Sequence, residues 1–155
     1  MLVDFDTISD SSRIWIYASE IKLNRVAKDS ILETLFSHLN SWEAHKQPLE
    51  ASACILEDHF VVVAVDESNT SASGCSIDTL QRVIKDLETN LSISLMNRLN
   101  VYCLIDDTIK CIPSFQLKNN VSENTLFYDL TITKKSDLHN FLKPIKDGWC
   151  NTLVK

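Results

Sequence analysis

Two short stretches of the chain, residues 14–17 and 60–65, are apolar at every position. β-Branched and aromatic residues dominate both, and runs of this kind are typical of strands that are covered on both faces. A third, largely apolar run, residues 51–56, is separated from the second by only three polar residues. This spacing predicts a β-hairpin.

A first helix is predicted between the first strand and this hairpin, because apolar residues recur there at intervals of three or four. These residues are Ile31, Leu35, Leu39 and Trp42, with Leu32 and Phe36 beside them. Asn24 is the predicted N-cap of this helix. We expect the helix to end near His45, because Pro48 disfavours helical geometry at Gln47.

A second helix has the clearest amphipathic pattern in the chain. Its apolar positions are Ile77, Leu80, Ile84, Leu87 and Leu91. Ser73 or Ser76 is expected to cap its N-terminus. Asp78, in the first turn, suits the positive end of the helix dipole.

The remainder of the chain contains shorter elements. They are a strand at 101–105, a hairpin that turns at Asp106 and Asp107 into residues 109–112, a short helix at 114–118, a strand at 126–128 and a helix at 133–142. The polar residues 1–12 are expected to form a loose leader. Trp149 is expected to anchor the C-terminal tail.

The first 105 residues therefore follow the order β-α-β-β-α-β, which is that of the ferredoxin-like fold. Strands one and three are central in this topology, and they correspond to the two fully apolar runs. The sequence predicts an α+β protein with a ferredoxin-like core and an antiparallel sheet over residues 13–105. A C-terminal β/α extension covers residues 106–155, and residues 1–155 form a single domain.

The two predicted helices cover only one face of the predicted sheet. Both faces need a cover, because residues 14–17 and 60–65 are apolar on both sides. The extension over residues 106–155 is the favoured cover. A second subunit, giving a homodimer, is the alternative.

The composition is that of a globular protein, with 45% hydrophobic and 23% charged residues. The formal net charge of −6 argues against binding to nucleic acid or to an anionic membrane. No secretory signal opens the chain, and no apolar run reaches the roughly 18 residues of a membrane-spanning helix. The five cysteines are scattered. We therefore expect reduced thiols, no membrane insertion and a cytoplasmic location.

Four separated segments are expected to meet at one end of the sheet. In the ferredoxin-like path the first strand and the second helix start there, and the first helix and the third strand finish there. The chemistry-bearing residues of these segments are Arg13, Trp42, His45, Asp66, Glu67, Ser73, Gly74, Cys75 and Ser76. Their convergence defines the candidate site.

Cys75 is the candidate nucleophile of this site, because the N-terminus of a helix favours a thiolate. His45 would act as its base, and Asp66 or Glu67 would orient the imidazole. These four residues form the candidate catalytic set. The alternative is that Cys75 is a small structural residue beside a capping serine.

The same helix start is also a candidate ligand-binding site. Gly74 permits a tight turn into the helix, and the bare N–H groups of a first turn favour a phosphate or carboxylate. Arg13, Trp42, Ser73 and Ser76 would complete the binding set. A Walker phosphate loop is excluded, because the G-x-x-x-x-G-K-[ST] pattern is missing. The alternative is a simple loop-to-helix turn.

No metal and no cofactor are assigned to the chain. Asp66 and Glu67, together with His45, have the residue types of a divalent-metal site. An ion pair between these acids and Arg13 is the simpler interpretation. No two cysteines have the Cys-x-x-Cys spacing of a structural zinc site.

Several segments resemble a family of small, uncharacterised bacterial proteins of about this length that is common in Bacteroidetes. They are Arg13-x-Trp-Ile-Tyr17, Trp42-x-x-His45, Val65-Asp-Glu-Ser68, Ala72-Ser-Gly-Cys-Ser-Ile-Asp78 and Arg98-x-Asn-Val101, with a late tryptophan like Trp149. Some members are labelled ABC transporter ATPase. The family histidine is usually followed by glycine, where this chain has Lys46. The resemblance implies a stand-alone cytosolic domain and no particular mechanism.

The leading interpretation is a non-catalytic binding or interaction module. It would hold a small anionic ligand, or the acidic group of a protein partner, at the edge lined by Arg13, His45 and residues 74–76. A thiol-dependent enzyme that uses Cys75 is the first alternative. A structural subunit of a larger assembly is the second.

Overall fold

The computed structural model describes residues 1–155, and the chain folds into two compact units. The first unit contains Met1–Met96 and Thr133–Ser136, and the second contains Asn97–Ile132 and Asp137–Lys155. This division falls before the fourth predicted strand, whereas the sequence placed the boundary between core and extension after it. The single domain over residues 1–155 stays a prediction.

The first unit is built from a three-stranded antiparallel sheet, two helices and a small hairpin. Its elements are β1 (Arg13–Ala18), α1 (Arg25–Asn40), β2 (Glu43–Ala44), β3 (Gln47–Pro48), β4 (Glu50–Leu56), β5 (Phe60–Asp66) and α2 (Gly74–Leu91). The sheet order is β1-β5-β4, and residues 60–65 of the central strand have no exposed surface. The predicted hairpin between β4 and β5 is confirmed.

The main core of this unit contains apolar side chains from both helices and from all three strands of the sheet. Its fully buried members include Tyr17, Ile31, Leu35, Val63, Leu80 and Ile84. Ser73 is the N-cap of α2, and Ser76 completes a capping box with it, as the sequence allowed. No helix of the chain combines the length and the apolar character that crossing a membrane requires.

α1 is capped as expected at its start but is shorter than predicted at its end. The Asn24 side chain accepts a hydrogen bond from the Ala27 amide at 2.8 Å. The helix ends at Asn40, and the predicted end near His45 is wrong. The chain instead forms the β2–β3 hairpin, because His45 and Lys46 adopt φ values of 52° and 64°. These left-handed values are those of a two-residue hairpin turn, and they are incompatible with a right-handed helix.

The N-terminal residues are tied to the sheet, so the predicted loose leader is wrong. Leu2 forms a parallel bridge with Ala51 at the start of β4. The Val3 amide donates to the Ala51 carbonyl at 2.9 Å, and the Ala51 amide donates to the Met1 carbonyl at 3.0 Å. Ile8 is buried. An acidic, polar segment is therefore held mainly through its backbone, which its composition does not reveal.

The second unit contains a four-stranded antiparallel sheet of order β7-β6-β8-β9. Its strands and its α-helix are β6 (Asn100–Ile105), β7 (Thr108–Pro113), α3 (Leu117–Asn120), β8 (Leu126–Tyr128) and β9 (Leu142–Pro144). The hairpin through Asp106 and Asp107 and the strand at 126–128 are confirmed. The helix predicted at 133–142 is a shorter 3-10 helix, Lys135–Asn140, and β9 follows it unpredicted.

The α+β class is therefore correct, but the four-stranded ferredoxin-like sheet is not formed. The fourth strand, β6, pairs with β7 and β8, and β1 lies at the edge of a three-stranded sheet instead of its centre. Two backbone carbonyls outside the predicted strands bond to β1 there. Thr133 accepts from the Ile14 amide at 2.9 Å, and Leu95 accepts from the Ala18 amide at 3.2 Å. The tight turn at residues 106 and 107 also makes β7 the nearest partner for β6.

The C-terminal tail of the second unit is not anchored by the indole of Trp149, which is 46% exposed. The neighbouring Ile145 and Cys150 are fully buried instead. Gly148 lies against the buried ring of Phe127, where no larger residue fits. Small and aliphatic residues therefore hold this tail.

A buried ion pair also stabilises the second unit. Lys143 Nζ lies 2.8 Å from Asp129 Oδ2, and both side chains are about nine-tenths buried. The backbone amide and the hydroxyl of Thr131 donate to Asp129 Oδ1. Burial alone would raise the pKa of Asp129, but the hydrogen bonds from Lys143 and Thr131 outweigh it and hold this pKa below its usual value.

The two glycines of the chain are predicted to respond in opposite ways to alanine. At Gly74 an added Cβ meets no atom within 4 Å, so Gly74→Ala should stabilise the protein by about 0.5 kcal/mol through helix propensity. At Gly148 the added Cβ would overlap the Phe127 ring, so Gly148→Ala should destabilise it by about 1–3 kcal/mol. Urea denaturation measures both changes. A destabilised Gly74→Ala, or an unchanged Gly148→Ala, would contradict the packing described.

Removing the partner of Asp129 is predicted to be costly. Lys143→Met should lower the free energy of unfolding at pH 7 by about 3 kcal/mol, because it leaves a buried carboxylate unpaired. Lys110→Met, at an exposed lysine of β7, is the control and should cost less than about 0.5 kcal/mol.

The pH dependence gives an independent check on this pair. The pKa of Asp129 is lower in the folded protein than in the unfolded chain. Its contribution to the free energy of unfolding is therefore fully present above the unfolded pKa of about 3.9, and it is lost as the pH falls through the folded-state pKa. Urea denaturation between pH 6 and 3 should show this loss in the natural protein. The loss should be smaller in Lys143→Met, because the Asp129 contribution is removed while that of other carboxylates such as Asp66 remains. Equal acid sensitivity of the two proteins would refute the assignment.

Candidate functional site

The candidate site lies at the end of the three-stranded sheet where α2 begins. Arg13 is the first residue of β1 and pairs in register with Val65 of β5. Glu67 follows the end of β5, and Trp42 follows the end of α1. A continuous set of contacts joins these residues to the start of α2, although the ferredoxin-like sheet from which their convergence was predicted is incomplete.

The polar contacts of this set centre on Glu67. Its Oε1 lies 4.0 Å from Nη1 of Arg13, and its Oε2 accepts a hydrogen bond from the Ala72 amide at 2.8 Å. The carboxylate therefore links the start of β1 to the loop that leads into α2. The ion pair predicted between Arg13 and one of the two acids is present for Glu67.

Aromatic contacts connect Arg13 to α2 by a second route. The Arg13 guanidinium lies over the Trp15 ring, 4.7 Å from its centroid. Trp15 meets Trp42 edge to face at 6.1 Å. Trp42 Nε1 then donates to the Ser76 carbonyl at 2.9 Å. We call Arg13, Trp15, Trp42, Glu67 and Ser76 the rim cluster.

Three of the predicted ligand-binding side chains are occupied by the fold itself. Trp42 is a buried core residue and offers a ligand little surface. Ser76 Oγ accepts from the Ser73 amide at 2.7 Å, and the Ser76 amide donates to Ser73 Oγ at 3.1 Å. These two hydroxyl groups cap α2.

The backbone at the start of α2 still has free donors. The amides of Gly74 and Cys75 have no acceptor within the protein, because the capping box satisfies only the amides of Ser73 and Ser76. The space beside Gly74 is open. The first turn of an 18-residue helix therefore presents two unpaired N–H groups to solvent.

The predicted catalytic arrangement is not assembled in the structure. The Cys75 side chain is exposed, and so is His45 at the tip of the β2–β3 hairpin. No hydrogen bond joins Cys75 to His45, or His45 to Asp66 or Glu67. Asp66 Oδ1 instead accepts from the Ser68 amide at 3.0 Å. This bond, with help from the Ser68 hydroxyl, lowers the pKa of Asp66.

Lys46 follows His45 in the β2–β3 turn. Its φ of 64° lies in the left-handed region that glycine favours. The tight turn therefore forms with a lysine at a position that suits glycine.

Cys75 is the one exposed thiol among five free cysteines. Burial raises the pKa of Cys54 to about 12, with a further rise from Asp6 that Lys135 opposes. Burial also raises the pKa of Cys103 to about 12 and that of Cys150 to about 11. These three thiols are chemically inert near neutral pH.

No group of three or more His, Cys, Asp or Glu side chains is placed to hold a metal ion. Asp66 and Glu67 are engaged with Ser68, Arg13 and Ala72 instead. The divalent-metal interpretation of these acids therefore has no geometry to support it.

The sequence did not identify a groove in the first unit. This groove, of about 770 Å³, runs beside β4 and is lined by residues 2–6 and 52–56 together with Leu32 and Phe36. The sequence held one indication of this groove. Leu32 and Phe36 widen the apolar stripe of α1 beyond the buried positions, and both stay partly exposed. We call this feature the edge groove.

A smaller cavity in the second unit was also missed. It has a volume of about 230 Å³, and Phe127, Tyr128, Trp149 and Arg98 are among its lining residues. Only Trp149 and Arg98 stood out in the sequence, as parts of the family resemblance.

None of the protein-family models, curated proteins or solved structures compared with the chain matches it significantly.

The five cysteines are predicted to differ sharply in reactivity. With limiting iodoacetamide at pH 7.5, Cys75 should be alkylated first, because it is exposed, whereas Cys103 and Cys150 should react only after unfolding. Peptide mapping by mass spectrometry follows each site. Alkylation in urea is the control, and all five sites should then react. Native modification of Cys103 at the rate of Cys75 would contradict the burial described.

Proposed function

We propose that the protein is a non-catalytic binding module that holds a small anionic group, a phosphate or a carboxylate, where α2 begins. The observation that carries this proposal is the pair of unpaired amides at Gly74 and Cys75 beside the rim cluster. Free N–H groups at the positive end of a long helix favour an anion. The open space at Gly74 gives the anion room to approach.

Glu67 supports the proposal, because it shows that the fold already places one carboxylate between Arg13 and the loop before α2. The distance of 4.0 Å to Nη1 is long, and the Arg13 side chain is 44% exposed. An exposed pair of this kind is worth little. The guanidinium therefore keeps donors for an external anion.

The charge of the whole chain limits how tightly such a ligand would bind. The net charge of −6 repels anions at long range. The attraction is local, from two amides and one guanidinium. We therefore propose a weakly held ligand, or an acidic group carried by a protein partner that adds contacts of its own. A cytoplasmic setting and membership of the bacterial family described above belong to the same proposal.

Two substitutions at Gly74 test the amide contribution. Gly74→Pro removes the N–H group at the first position of α2, where proline is well tolerated, and Ser73 already has the extended geometry that precedes a proline. Gly74→Ala keeps the N–H group and is the matched control. We expect Gly74→Pro to weaken binding of inorganic phosphate or citrate about tenfold, and Gly74→Ala to leave it unchanged.

Arg13 is tested in the same titration. Arg13→Gln should weaken binding severalfold, whereas Arg25→Gln, at an exposed arginine of α1, should not. The readout is the shift of the Gly74 and Cys75 amide signals in ¹⁵N NMR spectra. Equal binding by Gly74→Pro and Gly74→Ala, or anion-induced shifts confined to other residues, would overturn the proposal.

A thiol-dependent enzyme is the second candidate, and the exposure of Cys75 in the first turn of α2 favours it. The pH dependence of alkylation at Cys75 separates the two functions. A reactive thiolate is modified quickly at pH 6 to 7. If Cys75 reacts no faster than an ordinary cysteine of pKa about 8.5, the enzyme is ruled out.

A further inference from the structure

The two edges of the three-stranded sheet are not equally covered. At the β1 edge, carbonyls of Thr133 and Leu95 accept from the amides of Ile14 and Ala18. At the β4 edge, residues 1–3 pair with Ala51, and the ammonium group of Met1 donates to the carbonyl of Leu49 just before the strand. The N-terminal segment then turns away, since the amide of Ile8 donates to the carbonyl of Asp4. No strand pairs with residues 52–56 on this side, although Ala53 is only 4% exposed and Ile55 is partly exposed.

The register identifies which backbone groups are left unpaired. The N–H and C=O groups of Ala51 point away from β5, because they bond to Met1 and Val3. Backbone direction alternates along a strand, so Ala53 and Ile55 also point outwards while Ser52 and Cys54 face β5. No hydrogen bond in the protein involves the outward groups of Ala53 and Ile55. Unpaired edges of this kind are templates for another strand.

The edge groove surrounds this open edge on both sides of the sheet. Leu32 and Phe36 of α1 line it, and so do Cys54 and Phe5. All four side chains are partly exposed. Its volume of about 770 Å³ accommodates several residues of an extended chain. An added strand would direct alternate side chains towards the apolar helix surface.

The charge of the edge groove indicates which kind of partner it would bind. Asp4 and Asp6 are exposed at its wall, and neither carboxylate has an ion pair. The nearby cation, Lys135, donates to the Ile8 carbonyl at 2.8 Å and lies 3.8 Å from Asp10. A second copy of this chain would bring the same acidic wall and a net charge of −6. A basic partner is therefore favoured.

We propose that the open edge of β4 is a docking site for an extended peptide that adds to the sheet as a strand. The peptide has apolar side chains at alternate positions, which face Leu32 and Phe36, and lysine or arginine between them, near Asp4 and Asp6. Backbone bonds to Ala53 and Ile55 give the affinity, and the alternation gives the specificity. This site is separate from the start of α2 and does not rest on the anion proposal.

Amide hydrogen exchange tests the backbone part of the proposal on the unmodified protein. In the free protein the amides of Ala53 and Ile55, which have no acceptor, should exchange faster than those of Ser52 and Cys54, which bond to β5. The probe is the blocked peptide Lys-Val-Lys-Val-Lys-Val-Lys. At saturation it should slow exchange at Ala53 and Ile55 at least tenfold. Binding without this protection overturns the proposal.

Two N-methylated forms of the probe separate strand addition from simple charge attraction. One carries N-methyl groups on every lysine, and the other carries them on every valine. In a given strand direction only one set of amides faces β4, so the two forms should bind unequally. Equal binding of the two forms overturns the proposal.

The charge part is tested with matched double variants. Asp4→Asn with Asp6→Asn should weaken binding of the lysine probe about 2- to 10-fold at low salt. Asp86→Asn with Asp107→Asn, at exposed positions outside the groove, should leave it unchanged. A probe with glutamate in place of lysine should bind more weakly. If it binds as well as the lysine probe, the basic partner is excluded.

Ala53→Pro removes one outward N–H group from the edge and should also weaken binding of the lysine probe. Circular dichroism first establishes that this variant is folded. The exchange experiment does not depend on this variant.

Self-association is tested by the same exchange measurement without peptide. If Ala53 and Ile55 become protected as the protein concentration is raised, a second copy occupies the edge and the proposal is wrong.

Discussion

The complete burial of β5 is the constraint on which the first unit depends. Residues 60–65 have no exposed surface, so every backbone N–H and C=O group of this strand needs a partner within the protein. β1 and β4 supply these partners on either side. Because β5 ends beside the start of β1, this pairing also brings Arg13 close to Glu67 and to the loop before α2. The rim cluster is thus a consequence of how one strand is buried.

Local features were predictable because their causes lie within a few residues. The hairpin of β4 and β5 follows from two apolar runs that a short polar break separates, and the cap of α2 follows from Ser73 and Ser76. Arg13 was identified as a partner of Asp66 and Glu67, because the relative order of β1, α1, β4, β5 and α2 is correct. For the candidate site, the backbone placement of Arg13, Glu67 and the start of α2 was therefore predictable, whereas that of His45 was not.

The remaining features depend on competition between distant partners, which one sequence does not display. β6 has the composition of a strand in either sheet, and its place is decided by β7, β8 and the carbonyls that already bond to β1. The early end of α1 was hidden because His45 and Lys46 are unusual residues for left-handed positions. The sequence also does not show that Ser73, Ser76 and Trp42 are already engaged within the fold. A hydroxyl or an indole is the same residue in sequence whether or not its polar group already bonds to another part of the protein.

The hairpin tip at His45 and Lys46 has a consequence for motion. Two adjacent non-glycine residues with positive φ store strain of roughly 1 kcal/mol or more each. The hairpin itself has only two residues in each strand, so little pairing opposes the release of that strain. Brief opening of the tip is therefore cheaper than opening of the buried sheet. The side chains of His45 and Lys46 can therefore change position in solvent while Trp42, three residues earlier, stays fixed in the core.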